Sequence, residues 1–136
     1  MRKLGIDYGD VRLGFALSDP MGIIASPLEV YTRKGAAADF QYIAGLVKSK
    51  EADTVVIGLP VNMDGTKGER AQKSIEFGDR LKEFCSVKIE YIDERLSTVS
   101  AEKALIEGNM RREKRREVID KIAAQIILQN YLDKTR

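Results

Sequence analysis

The stretch Lys3-Leu4-Gly5-Ile6-Asp7-Tyr8-Gly9 decides how this chain folds. It alternates at period two, with Leu4, Ile6 and Tyr8 on one face and Gly5 and Asp7 on the other, which is the pattern of a β-strand. Asp7 therefore projects from a strand. A charge placed there costs on the order of several kcal/mol in lost hydration unless a cation, hydrogen bonds or water compensate it. Two explanations stand at this point: a carboxylate capping the turn at Gly9-Asp10, or one that carries chemistry.

Working outward, Leu13, Phe15 and Leu17 alternate with Gly14, Ala16 and Ser18, and the short junction at Gly9-Asp10 predicts a hairpin. A third strand is expected over residues 23–31, where Pro27 implies an edge strand or a bulge because it cannot donate a ladder hydrogen bond. The period then changes. Phe40, Ile43 and Val47 fall at helical spacing within residues 36–50, and residues 54–59 form a buried strand. Residues 60–68 read as a loop with a turn at Asp64-Gly65, and Thr66 with Glu69 fits a capping box for a helix whose buried stripe is Ala71, Ile75, Gly78 and Leu81. Another strand follows at 87–92, a helix at 97–107 and a long final helix at 115–132.

Crossovers of this length imply parallel pairing for the later strands. The expected architecture is α/β: a mixed five-stranded sheet, three antiparallel strands then two parallel, flanked by helices. The 136 residues suit a single domain, residues 1–136, able to bury a core without disulfides or a structural metal. Cys85, the one cysteine, is assigned to core packing, and it excludes both a disulfide framework and a thiolate zinc site within one chain. The N-terminus shows no signal-peptide pattern, and no run approaches the roughly 18 apolar residues of a membrane span. A cytoplasmic protein without membrane contact is expected.

Two further acids stand out beside Asp7. Active sites in open α/β sheets lie beyond the carboxyl ends of strands, and Glu94 emerges there, just after Tyr91-Ile92 and Asp93. On the last helix, Ile119, Ala123, Ile126 and Ile127 line one arc, and Asp120 falls within it beside Ala124. Lys121 points elsewhere, so Asp120 is either paired with a base on another element or part of a site. The chain has no histidine. Oxygen donors without imidazole or thiolate favour Mg²⁺ or Mn²⁺ over zinc, and Asp7, Glu94 and Asp120 are the expected metal ligands and catalytic residues.

The net charge is +2, yet residues 101–136 hold nine basic and six acidic side chains. Most of the excess comes from Arg111, Arg112, Lys114, Arg115 and Arg116. This segment is a candidate phosphate contact, with a merely solvated basic run as the alternative. Arg12 and Arg95 are further candidate nucleic-acid contacts, although Arg12 could cover the hairpin and Arg95 could pair with Asp93 or Glu94. Aromatic residues are few and Trp is absent, which argues against an extended stacking platform.

Four ordered blocks resemble the YqgF family, also called RuvX, within the ribonuclease H-like superfamily. They are Gly5-Ile6-Asp7-Tyr8-Gly9 continuing to Arg12, Gly14 and Ser18-Asp19; Val56-Ile57-Gly58-Leu59-Pro60 with Met63-Asp64-Gly65-Thr66; Asp93-Glu94-Arg95-Leu96-Ser97-Thr98; and Asp120-Lys121-Ile122-Ala123-Ala124 leading to Ile127-Leu128-Gln129. The resemblance covers essentially the whole chain. It implies a ribonuclease H-like fold whose acidic site matches Asp7, Glu94 and Asp120, and a nuclease acting either at the 5′ end of the small-subunit ribosomal RNA precursor or on Holliday junctions.

The expected cofactor is Mg²⁺ or Mn²⁺, two ions activating water and stabilising the leaving oxygen. The expected partner is nucleic acid, structured RNA or alternatively branched DNA, met by a monomer or weak homodimer. Two other classes compete. An actin-like or sugar-kinase-like ATPase also opens on such a hairpin but needs two duplicated domains. A nucleic-acid-binding module without turnover would keep the fold and not the chemistry.

Overall fold

The computed structural model describes residues 1–60, 66–94 and 112–135, with the side chains of the last segment described from Val118 onward. In chain order the elements are β1 (Arg2–Tyr8), β2 (Arg12–Ser18), β3 (Ala25–Thr32), α1 (Ala36–Ser49), β4 (Ala52–Leu59), α2 (Glu69–Leu81), β5 (Lys88–Asp93) and a long helix, α3 (Arg112–Lys134). The strands form one sheet in the order β3-β2-β1-β4-β5. β1 to β3 pair antiparallel, while β4 runs parallel to both β1 and β5. This is the mixed sheet expected from the sequence. The expected turn at Asp64-Gly65 and the helix at 97–107 lie outside the described residues.

Pro27 satisfies both of its alternatives, since β3 is an edge strand and its pairing with β2 shifts register where Ala16 meets Pro27. The capping box does not form. Helix α2 starts two residues later than Thr66 would place it, with extended Gly68 at the N-cap, no side-chain cap bond, and Glu69 in the first turn. Glu69 there favours the helix through its dipole instead of closing a reciprocal pair. The buried stripe of α2 is Ala71, Ser74, Phe77, Gly78 and Leu81, with Ile75 only half-buried.

The two faces of the sheet are packed differently. Leu4, Ile6, Leu13, Phe15, Val55 and Ile57 meet Phe40, Ile43 and Val47 of α1 and Phe77 and Leu81 of α2 in a core of large side chains. Cys85 packs at its margin, where burial pushes its thiol up. The opposite face is built from small residues: Ala16, Ala25 and Val56 meet Ala123, Ala124, Ile127, Leu128 and Leu132 of α3. A Cβ on Gly5 would stand 2.8 Å from Leu128 Cβ, so the glycine lets α3 lie close against β1. At Gly14 a Cβ would stand within bonding range of the Asp120 carbonyl oxygen. The helix backbone therefore rests directly on β2 at the level of Asp120.

Candidate active site

Asp7 lies near the carboxyl end of β1, on the face turned towards α3, one residue beyond the last β1–β4 partner pair, Ile6 and Ile57. Glu94 follows directly on β5, whose last pairs with β4 are Gly58–Ile92 and Leu59–Asp93. Asp120 reaches the same level from α3, because Gly14, the β2 partner of Asp7, is the residue on which the helix backbone sits. Three acids remote in sequence thus line one polar cleft of about 180 Å³, together with Tyr8, Gly9, Gly58, Pro60 and Arg70.

Gly58 is part of this construction. A Cβ there would stand 2.5 Å from Glu94 Oε1 and 2.6 Å from Ile127 Cδ1. The carboxylate of Glu94 therefore occupies space that any other residue on β4 would fill. Sequence patterning treats Gly58 as one position in a buried strand, and only the sheet register reveals its purpose.

Asp120 is paired across the cleft wall. Arg12 Nε donates to Asp120 Oδ2 at 2.8 Å, with the two side chains 28% and 18% exposed. Of the two alternatives for Asp120, a basic partner on another element is thus realised, and that partner is Arg12 of β2. Arg95 and Arg111 lie outside the described residues. Arg112, Lys114, Arg115 and Arg116 fall in the first turns of α3, eight to four residues before Asp120.

Arg70 is the residue that sequence patterning misses. It sits in the first turn of α2 outside the buried stripe, where hydrophobic periodicity carries no signal, yet it lines the cleft beside the three acids. Asp19, within one of the resemblance blocks, stands away from the cleft. Its Oδ1 accepts the Ile23 and Ile24 N–H groups at 2.7 and 2.8 Å, and those bonds hold its carboxyl below the usual value. It anchors the loop between β2 and β3.

The cleft suits a divalent cation in donor chemistry: three hard carboxylates on rigid elements, with glycines clearing the floor. Among the described residues no three acids stand close enough together to enclose an ion as they are arranged. Arg12 engages Oδ2 of Asp120, so Asp120 would act as a ligand through Oδ1 or by releasing Arg12.

Sheet order, helix placement and an acidic cleft at the carboxyl ends of the strands define a protein of the ribonuclease H-like class. Solved structures agree at the level of fold. RuvC of Thermus thermophilus, in complex with Holliday junction substrate, superposes with a TM-score of 0.61 at 14% identity, covering 99% of this chain and 95% of that one. The fowlpox virus resolvase bound to Holliday junction DNA gives 0.55 at 10% identity, covering 99% of each chain.

Sequence comparison is more specific. The family model described as "RuvX: Holliday junction resolvase" matches residues 1–134. A protein of Halothermothrix orenii described as "Putative pre-16S rRNA nuclease" is 47% identical over 133 residues, covering 98% of this chain and 95% of its own. A Streptococcus thermophilus protein of the same description is 44% identical, covering 98% and 99%. The chain belongs to the RuvX family, and by homology it is a nuclease.

Proposed function

We propose that this protein is a metal-dependent phosphodiester hydrolase that processes the 5′ end of the pre-16S ribosomal RNA in the cytoplasm, as a monomer or weak homodimer. The observation that carries the proposal is the convergence of Asp7, Glu94 and Asp120 on one cleft. The RNA substrate is supported by 44–47% identity over nearly the full length to relatives described as pre-16S rRNA nucleases. Among the described residues, no helix is long and apolar enough to cross a membrane.

In this account Asp7, Glu94 and Asp120 hold Mg²⁺ or Mn²⁺. When bound, the metal supplies Lewis-acid stabilisation of the phosphoryl oxygens and a nucleophilic water. The chain's own residues do the rest. Asp7 stands on β1, the middle strand of the sheet. Gly58 leaves room for the Glu94 carboxylate, and Gly14 holds the α3 backbone close enough for Asp120 to reach the cleft. Arg12 neutralises Asp120 and, freed from it, would contact a substrate phosphate. Arg112, Lys114, Arg115 and Arg116, eight to four residues before Asp120 on α3, are assigned contacts with phosphates flanking the cut. Arg95 and Arg111 are assigned the same role from the sequence.

The description of the family as Holliday junction resolvase favours a second substrate, a four-way DNA junction. One assay separates the two. Wild type and Asp7→Asn are incubated with Mg²⁺ or Mn²⁺ and either a 5′-extended pre-16S transcript or a synthetic junction. Specific trimming of the transcript by wild type alone is the expected result. Cleavage of the junction only would transfer the activity to DNA, and cleavage of neither would leave a nucleic-acid-binding module.

A further inference from the structure

The carboxylate cleft does not end at Arg70. A constriction of about 10 Å³, lined by Arg70, Pro60 and Tyr8 on the cleft side and by Asp10, Lys73 and Ser74 beyond, leads round the carboxyl edge of β1. On the far side lies a second cavity of about 190 Å³ under α1 and α2, with Tyr8, Arg33, Phe77, Arg80 and Glu76 in its wall. Tyr8 lines all three spaces, because it follows Asp7 on β1 and its side chain takes the opposite face.

The constriction carries the arrangement of an anion site. The Asp10 carboxylate, on the hairpin tip and 54% exposed, sits between Arg70 Nη1 at 3.7 Å and Lys73 Nζ at 3.9 Å. Lys73 also faces Glu69 at 3.9 Å. Contacts this long and this exposed are worth little and exchange easily. Asp10 thus stands where a phosphate bound by the same two cations would stand, as a replaceable occupant.

The second cavity is walled by two guanidinium groups that cap aromatic rings. The Arg33 guanidinium lies 5.1 Å from the Tyr8 ring centroid, and Arg33 is held there by Asp39 at 2.9 Å, the Tyr8 hydroxyl at 3.1 Å and the Gly9 carbonyl at 3.1 Å. Arg80 lies 5.3 Å above the Phe40 ring. The Phe40 and Phe77 rings are buried in the core, so the surface left for an unpaired base to stack on is guanidinium, and the Glu76 carboxylate at the wall is an acceptor for a base edge. The volume admits one base and no duplex.

We infer that this passage and cavity form a binding site for the unpaired nucleotide next to the scissile phosphodiester, with its phosphate on Arg70 and Lys73 in place of Asp10 and its base in the cavity beside Arg33. The inference rests on the nuclease reading for the position of the scissile group. It makes the substrate single-stranded on the side of the cut that runs past the hairpin tip.

The test is fluorescence anisotropy of the full chain, in EDTA to prevent cleavage, with a labelled single-stranded RNA of about ten nucleotides and with the same RNA annealed to its complement. The single strand is expected to bind about tenfold more tightly. Lys73→Ala, at an exposed position, should weaken single-strand binding about tenfold and lower the slope of log affinity against log salt by about 0.7, while Asp10→Asn should tighten it. Equal affinity for duplex and single strand, an unchanged Lys73→Ala, or weakened binding by Asp10→Asn would each overturn the inference. Single-strand binding with the expected variant effects but no cleavage when Mn²⁺ is restored removes the nuclease reading and keeps the site. Cleavage with an indifferent Lys73→Ala does the reverse.

Discussion

Two arginine–aspartate pairs of almost equal length do different work in this protein. Arg33 and Asp39 meet at 2.9 Å, Arg12 and Asp120 at 2.8 Å. Asp39 has no exposed side-chain surface, and its second oxygen accepts the Lys34 N–H at 2.9 Å. Arg33 is further bonded to Tyr8 and Gly9 and covers the Tyr8 and Phe77 rings. The bonds to Tyr8 and Gly9 tie the β3–α1 junction to the end of β1, and those to Asp39 close the junction on itself. Arg12 and Asp120 share a single hydrogen bond and are partly exposed, with Asp120 at an open cleft. Bond length therefore does not separate a structural pair from an exchangeable one. The number of bonds that would be lost, and whether water or metal can replace them, does.

The largest effect expected from breaking this contrast lies on the cleft side. Asp7→Asn should reduce cleavage about a thousandfold or more, the several kcal/mol of transition-state stabilisation that a bound metal supplies, with the urea midpoint nearly unchanged. A variant that still cleaves at a rate near wild type removes Asp7 from the chemistry.

On the structural side, Asp39→Ala strands Arg33 against an aromatic surface and should destabilise the fold by about 3 kcal/mol, read as a lower urea midpoint. The same pair has a pH signature. Burial raises the Asp39 pKa, but the Lys34 N–H and the Arg33 guanidinium outweigh it and leave it below the ordinary value. A depressed folded-state pKa gives stability that is complete above the unfolded value and is lost as pH falls through the folded one. Wild type should thus lose stability below about pH 4 more steeply than Asp39→Asn; parallel acid limbs would deny the pair that role.

Gly14→Ala sharpens the contrast from the backbone side. Its Cβ would collide with the Asp120 carbonyl. Overpacking of this kind costs about 1–3 kcal/mol, and by lifting α3 it should lower activity by more than the stability loss explains when both are measured at a temperature where the variant is folded. The smallest effect belongs to Arg12→Gln, with under about 1 kcal/mol of stability and tighter Mn²⁺ binding in the absence of nucleic acid. Loss of several kcal/mol there would make the Arg12–Asp120 pair structural after all.

Much of this was legible in the sequence because local pattern and buried position coincide. The alternation around Asp7, the helical spacing of Phe40, Ile43 and Val47, and the interruption of an apolar arc by Asp120 each report a face that the structure buries. Stripe boundaries were less legible. Ile119 and Ile126 are only half-buried, because the close approach of α3 to Gly5 and Gly14 centres its contact on Ala124, Ile127 and Leu128, in line with Asp120. What could not be read is long-range: the partnership of Arg12 with an acid 108 residues away, the clearance that Gly58 gives Glu94, and Arg70 at the cleft. Each depends on sheet register and helix placement, which no local period encodes.

Asp7, Glu94 and Asp120 are proposed to hold divalent metal together, in competition with the Arg12–Asp120 pair. Titration calorimetry with Mn²⁺ in the absence of nucleic acid tests this most directly. Saturable binding by wild type is expected, with its loss in Asp7→Asn, Glu94→Gln and Asp120→Asn, each still folded by circular dichroism. Unchanged Mn²⁺ binding in all three variants would contradict it.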